Sequence, residues 1–162
     1  MGAELPVGSV VAWCGSKDRV PQGWYYCDGR VLEIAPHQAL FDAIGHSFRR
    51  STTSRPFDEN KCFCLPDFRG YFLRGVDDGA GRDPDAGSRH GLDNSADANT
   101  GVGSVQEDQF RSHTHGYHMF PNGKGKIAGS PWWQQGKAQT DPAGGNETRP
   151  INAYVYYIVK AQ

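Results

Sequence analysis

Two histidines separated by a single residue are the part of this sequence best placed to do chemistry. His113 and His115 are two positions apart, so on an extended strand both imidazoles point to the same face. Imidazole nitrogens bind zinc and iron, but a zinc site takes about four ligands and an all-nitrogen iron site about six. One chain therefore supplies an incomplete ligand set, and a solvated pair of loop histidines remains the alternative interpretation.

A catalytic metal site is the rival interpretation of the same region. Glu107 and Asp108 precede the histidines, and a zinc ion with an open position beside a carboxylate base would hydrolyse its substrate. However, the sequence lacks the zinc-protease, nucleophile-elbow, phosphate-loop and dinucleotide fingerprints. The acidic turn Asp83-Pro84-Asp85 also lacks the calcium-loop pattern. We therefore expect no enzyme, and a metal-dependent hydrolase is the least favoured alternative.

Aromatic side chains in a polar stretch suggest a binding surface. Trp132 and Trp133 are adjacent, and exposed indoles could stack on the rings of a sugar. They could equally fill an interface between chains, and Tyr117 leaves the same two possibilities open. His118 lies three residues after His115 and leaves the face that His113 and His115 share. We therefore assign it to the surface or to a receptor contact.

Length and composition limit the possible classes of protein. The chain has 162 residues, 17 basic against 18 acidic side chains and a net charge of −1, which is typical of one folded domain, or two at most. Leu, Ile, Val and Phe make up less than about a fifth of the residues, so we expect a thin core supplemented by aromatic residues. The balanced charge argues against a nucleic-acid binder, and no apolar run is long enough to insert into a membrane. Glu4 near the start argues against a signal peptide, so we expect synthesis in the cytoplasm.

Short apolar runs and one helical pattern predict an α+β fold. Runs bounded by Pro and Gly predict strands at Val7–Trp13, Trp24–Cys27, Cys62–Leu65, Tyr71–Leu73 and Ala153–Lys160. Helical spacing between Pro36 and Gly45 predicts one helix of about three turns. The last strand is apolar or aromatic on both faces. We therefore expect it to be covered on both sides and to pair with the N-terminal strands.

The polar middle of the chain cannot build a core of its own. Its 74 residues from Asp77 to Pro150 contain only the aliphatic side chains Leu92, Val102, Val105 and Ile127. A structureless loop of this length is uncommon inside a compact domain. We therefore expect a long, strand-poor and loop-rich insertion that another chain or a metal orders.

The spacing of the cysteines predicts neither a metal site nor a disulfide pairing. Cys14, Cys27, Cys62 and Cys64 form no Cys-x-x-Cys motif, so a zinc ribbon is not expected. Two disulfides or four free thiols both remain compatible with the sequence.

A series of short motifs resembles a known family. The series is Pro6-Val7-Gly8, Pro21-Gln22-Gly23-Trp24, Cys27-Asp28-Gly29, Leu65-Pro66-Asp67-Phe68-Arg69-Gly70 and Phe72-Leu73-Arg74-Gly75. Its order and spacing, over roughly residues 5 to 77, resemble the phage tail collar domain at the tips of tail fibres. Later, His113-Thr114-His115 and Arg149-Pro150-Ile151-Asn152 resemble the C-terminal part of the same proteins. The chain departs from the family pattern at Arg49 to Pro56, where a Gly-rich turn is usual, and in placing Cys62 and Cys64 before Leu65.

The resemblance implies a homotrimer organised around a threefold axis. Residues 1–76 would form a collar-like domain, residues 77–150 an intertwined tip region clasped by metal, and residues 151–162 a strand returning to the collar-like unit. Three copies of His113 and His115 would then supply six ligands to one shared iron or zinc ion.

The resemblance also implies a function and a location. The exposed loops would bind a cell-surface glycan or lipopolysaccharide, with Trp132, Trp133, Tyr117 and His118 as candidate contacts. The expected location is a virion tail fibre or an extracellular phage-tail-like particle. A stand-alone, lectin-like protein that shares the fold is the alternative.

Overall fold

A computed structural model describes residues 4–50, 57–91, 101–109, 112 and 150–162. The chain divides into two compact units, of which the first is Met1–Glu107 together with Asn152–Gln162 and the second is Asp108–Ile151. The helices and strands of the described residues all belong to the first unit. Residues 77–91 and 101–107 also lie in this unit, and the domain boundaries at residues 76 and 150 stay a prediction.

The first unit combines short strands with one α-helix. Its elements are β1 (Val10–Trp13), β2 (Trp24–Tyr26), β3 (Val31–Glu33), α1 (Gln38–Ile44), β4 (Cys62–Cys64) and β5 (Tyr156–Lys160). Turns of 3-10 helix lie at Lys17–Arg19, Ala35–His37 and Ala86–Ser88. This mixture confirms the predicted α+β class. The trimeric, intertwined arrangement and the insertion stay predictions.

The C-terminal strand is the centre of the main sheet. Strand β5 lies between β1 and β2 and is antiparallel to both, with Val10 opposite Val159 and Trp24 opposite Lys160. The neighbouring residues Ile158 and Val159 point to opposite faces, and both are buried. The prediction that the last strand is covered on both sides and pairs with the N-terminal strands is therefore confirmed. Both sides of β5 are covered because the strand carries apolar side chains on both faces.

A second, two-stranded sheet and the helix complete the core. Strands β3 and β4 are antiparallel, with Val31 opposite Cys64. Helix α1 ends at Gly45, whose N–H bonds to the carbonyl of Phe41 at 2.7 Å. The buried cluster that joins the two sheets and the helix comprises Cys27, Leu40, Phe63, Leu65, Val159 and Ala161.

Several strand predictions differ from the structure, and the first strand begins at Val10 and not at Val7. The prediction of a strand at Tyr71–Leu73 is wrong, because these residues pair with no strand in the described part of the chain. Strand β3 was not predicted. The C-terminal strand begins at Tyr156 and not at Ala153. A strand needs a partner as well as a suitable sequence, and the sequence pattern does not reveal where the partner ends.

All four cysteines lie in the described part of the chain, and all are free thiols. Burial, followed by the nearby charges of Asp28 and Asp67, raises the pKa of Cys27 to about 12. This thiol therefore stays protonated and acts as a small apolar core residue. Among the described residues, no helix has the length and apolar character needed to cross a membrane.

Candidate functional site

The histidines and aromatic residues that the sequence singles out for metal and receptor binding fall outside the described part of the chain. They are His113, His115, Tyr117, His118, Trp132 and Trp133. The metal site and the receptor contacts therefore stay predictions. The described residues show a different feature, a groove on the first unit.

This groove has a volume of about 970 Å³ and lies beside the end of helix α1. One wall is formed by Ala43, Ile44 and Phe48, another by the chain from Tyr71 to Gly79, and a third by the loop 101–106. Apolar side chains dominate the rim, with Phe72 63% and Val102 61% exposed. Exposed apolar surface of this kind on a folded unit marks a contact with another molecule.

A glycine allows the loop 101–106 to approach the helix. Gly103 has a positive φ of 93°, and a Cβ at this position would overlap the backbone carbonyl of Ser47. Only glycine combines that backbone conformation with so close an approach. The third wall of the groove therefore depends on Gly103.

A carboxylate organises the turn below the groove. Asp77 accepts hydrogen bonds from the backbone N–H groups of Gly81 at 2.9 Å, Arg82 at 2.6 Å and Asp83 at 2.9 Å. These bonds, first those from Gly81 and Arg82, hold the pKa of Asp77 below its usual value. The sequence indicated a turn here, and the structure adds that Asp77 fixes its shape.

A partly buried guanidinium joins this turn to the loop 101–106. Arg89 donates through Nε to the hydroxyl of Ser104 at 2.9 Å, through Nη2 to the Ser104 carbonyl at 3.1 Å and through Nη1 to Gln106 at 3.1 Å. Its Nη1 also lies 3.4 Å from the buried carboxylate of Asp83. His90 and Val105 exchange two backbone hydrogen bonds, at 3.1 and 2.8 Å.

Polar contacts therefore order this part of the aliphatic-poor region within a single chain. The sequence analysis expected another chain or a metal to do so for the whole of residues 77–150. Arg89, Asp83 and Gln106 are distant in sequence, and no local pattern announces that they meet.

Two copies of an Asp-x-Arg motif lie side by side at the edge of the core. Arg69 donates bidentate hydrogen bonds to the Asp67 carboxylate, at 2.7 and 2.6 Å. Arg30 does the same to Asp28, at 2.8 and 2.7 Å. Each carboxylate also accepts the backbone N–H of its own arginine at 3.3 Å. Asp28 and Asp67 lie opposite one another in an isolated β-bridge. A second arginine, Arg50, also donates a hydrogen bond to the Asp67 carboxylate.

The guanidinium groups keep these two carboxylates ionised. Burial would by itself raise the pKa of both, but hydrogen bonds from Arg30 to Asp28 and from Arg69 to Asp67 outweigh burial. Both pKa values therefore lie below the usual range. Both motifs are visible in the sequence as Asp28-Gly29-Arg30 and Asp67-Phe68-Arg69, and their repetition is the signal that could have predicted the pair.

Four carboxylates of the first unit are held in local contacts. Asp28, Asp67, Asp77 and Asp83 are all engaged by guanidinium or backbone N–H groups, so none is positioned to exchange a proton with a ligand. Within the described ranges, no group of three or more His, Cys, Asp or Glu side chains could hold a metal ion.

These carboxylates predict how stability depends on pH. Because the pKa values of Asp28, Asp67 and Asp77 are lowered by folding, their contribution is complete above the pKa of an unfolded carboxyl, about 3.9, and is lost as the pH falls through the lowered values. We expect the melting temperature to be level from pH 7 to about pH 5 and to fall steeply below about pH 4.

Thermal unfolding followed by circular dichroism between pH 7 and pH 2 measures this effect. An Asp77→Asn variant keeps an oxygen acceptor but not the charge. It should therefore have a lower melting temperature at pH 7, and that temperature should fall less as the pH is lowered. A variant with the same acid dependence as the wild type would show that Asp77 does not contribute.

Two segments of the first unit expose apolar side chains on backbone that pairs with no other backbone in the described ranges. The apolar edge is Phe72–Val76, where Leu73 is 47% and Val76 48% exposed. The strand overhang is Ala153–Val155, the segment directly before β5, in which Tyr154 is 99% exposed. Neither segment makes a backbone hydrogen bond to the described residues.

Comparisons with known proteins agree with this architecture. Residues 8–73 match the family model of the Phage Tail Collar Domain, a range that contains both Asp-x-Arg motifs. The chain is similar to the protein RhiB of Rhizobium leguminosarum bv. viciae, with 35% identity over 164 residues that cover 98% of this chain and 68% of RhiB. It is also similar to the protein StfE of Escherichia coli (strain K12), with 28% identity over 192 residues that cover 99% of this chain and 90% of StfE.

Proposed function

Because the chain belongs to the phage tail collar domain family of tail-fibre-like proteins, we propose that it is the receptor-binding tip of a phage, or phage-tail-like, fibre. In this role it is a trimeric adhesin that attaches to a saccharide on the surface of a cell. The observation that carries the proposal is the apolar groove of the first unit, which offers exposed apolar side chains such as Phe72 and Val102 to another molecule. Such a surface is suited to binding a partner.

The proposed trimer shares a metal ion. His113 and His115 would hold it, because two imidazoles from each of three chains make a six-nitrogen set that suits iron, or zinc with part of the set. A bound ion would clamp together the stretch of the chain that is poorest in aliphatic side chains. Mass by light scattering and metal content by elemental analysis, on one sample, test the assembly. Monomers without metal would contradict it.

The proposed receptor contacts are the aromatic side chains of the polar region. Trp132 and Trp133 would stack on sugar rings, with Tyr117 and His118 as further contacts to a glycan or lipopolysaccharide. We expect Trp132→Ala to weaken glycan binding about 30-fold, as for an aromatic anchor worth about 2 kcal/mol. A glycan array followed by titration of the best ligand measures the loss.

A matched control separates stacking from assembly. Trp132→Phe keeps a ring face and should retain most of the affinity, while both variants should remain trimeric by light scattering. If Trp132→Ala binds glycan as well as the wild type, or if it loses the trimer, Trp132 is not a receptor contact.

A further inference from the structure

The apolar edge is a segment outside the helices and strands whose backbone groups are unpaired among the described residues. From Phe72 to Val76 no backbone N–H or carbonyl bonds to another backbone group of the described residues. The side chains of Phe72, Leu73 and Val76 are also between 47% and 63% exposed. Unpaired backbone beside exposed apolar side chains is the property that lets one strand recruit another.

The strand overhang has the same two properties at another place in the sequence. Strand β5 pairs with β1 only as far as Tyr156, which lies opposite Trp13. Tyr154 and Val155 continue it without a partner in the described part of the chain, and Tyr154 is 99% exposed. An aromatic residue this exposed makes almost no contact with its own chain.

We propose that the apolar edge of one copy pairs with the strand overhang of the next copy. This inference rests on the proposed trimeric assembly. It assigns that assembly an interface between residues of the first unit, separate from the proposed metal ligands His113 and His115. The two segments differ from one another, so each copy offers one of each and accepts one of each. A contact between two different surfaces closes into a ring when the rotation between copies allows it, and a ring of three needs no further contact type.

The exposed area supports a second copy as the occupant. A fully exposed aromatic side chain presents about 150–250 Å², so the two segments with Tyr71, Val102 and Tyr156 offer on the order of 800 Å² of mostly apolar surface. A stable interface buries about 1,600 Å² in total, a little more than half of it apolar. One edge and one overhang, together with these three flanking residues, therefore supply about the apolar area of one interface, which favours a second copy as the occupant.

Hydrogen exchange on the full-length protein tests the pairing directly. In a single chain the amides of Phe72–Val76 and Tyr154–Val155 have no backbone acceptor among the described residues, so they should exchange at nearly unprotected rates. In the assembled protein we expect both segments to exchange about 100-fold more slowly. Fast exchange of either segment in a protein that is trimeric by light scattering would overturn this inference and leave the proposed trimer standing. A monomeric wild type would overturn both.

Substitutions distinguish contact between unlike segments from contact between like ones. Phe72→Asp should speed exchange in the strand overhang as well as in its own segment, and Tyr154→Asp should speed exchange in the apolar edge. Tyr154 makes almost no intramolecular contact, so its replacement cannot disturb the fold of its own chain.

Leu5→Asp is the matched control, because Leu5 is an apolar residue that is 48% exposed and lies outside both segments. It should leave the exchange rates of both segments unchanged. If each substitution deprotects only its own segment, the two segments do not pair.

Discussion

Replacing His113 and His115 together with alanine is expected to remove the metal and to convert the trimer into single chains. Each chain loses two imidazoles, so an assembly of three loses all six proposed ligands at once. A structural metal contributes on the order of 10 kcal/mol to the folding of a small domain. The region between Asp77 and Pro150 has few aliphatic side chains with which to compensate. Light scattering and elemental analysis of the variant measure both losses.

A neighbouring histidine provides the control for this experiment. His118 lies three residues from His115, and on an extended strand it leaves the face shared by the two proposed ligands. His118→Ala should therefore keep both the metal and the trimer. A wild type that contains no metal, with a double variant that assembles and melts as the wild type does, would contradict the proposed site.

Replacing Asp67 with asparagine is expected to give the largest loss of stability within the collar unit. The Asp67 side chain is only 4% exposed and accepts hydrogen bonds from both Arg50 and Arg69. An amide of the same shape would turn an N–H donor toward these guanidinium donors and leave their charge without a partner. Because the two arginines are partly exposed, we expect a decrease of about 2–4 kcal/mol in the free energy of unfolding.

Urea denaturation at a fixed protein concentration measures this decrease, with an exposed ion pair as the control. Glu59 pairs with Arg49, but its side chain is 51% exposed, so Glu59→Gln should cost no more than about 1 kcal/mol. If Asp67→Asn and Glu59→Gln change the stability equally, then burial of the Asp67 carboxylate has no special role.

Much of the fold could be predicted from the sequence because its strongest signals are local. The helical spacing before Gly45 predicted α1, and apolar residues on both faces of the last segment predicted that β5 is covered on both sides. Short strands without a long period were harder to predict, so Val31–Glu33 was missed and Tyr71–Leu73 was assigned wrongly. In both cases pairing decides the outcome, and pairing depends on residues distant in sequence.

For the candidate sites too, the sequence predicted local patterns but not contacts between distant residues. Spacing alone drew attention to His113 and His115 because an i, i+2 pair already shares a face on a strand, and this prediction concerns residues outside the described part of the chain. The contacts of Arg89 with Ser104, Gln106 and Asp83 could not be predicted, since they span 15, 17 and 6 residues and leave no periodic trace.

By itself the sequence determined the family, the α+β class and the order of the main elements, because motifs and hydrophobic periods are properties of neighbouring residues. Only the tertiary structure decided that two Asp-x-Arg motifs meet at Asp28 and Asp67 and that the groove opens beside α1. It also decided that the backbone of the apolar edge and of the strand overhang pairs with no other described backbone. Each of these features is a contact, or the lack of one, between residues far apart along the chain. Such a relation exists only after folding has brought those residues together.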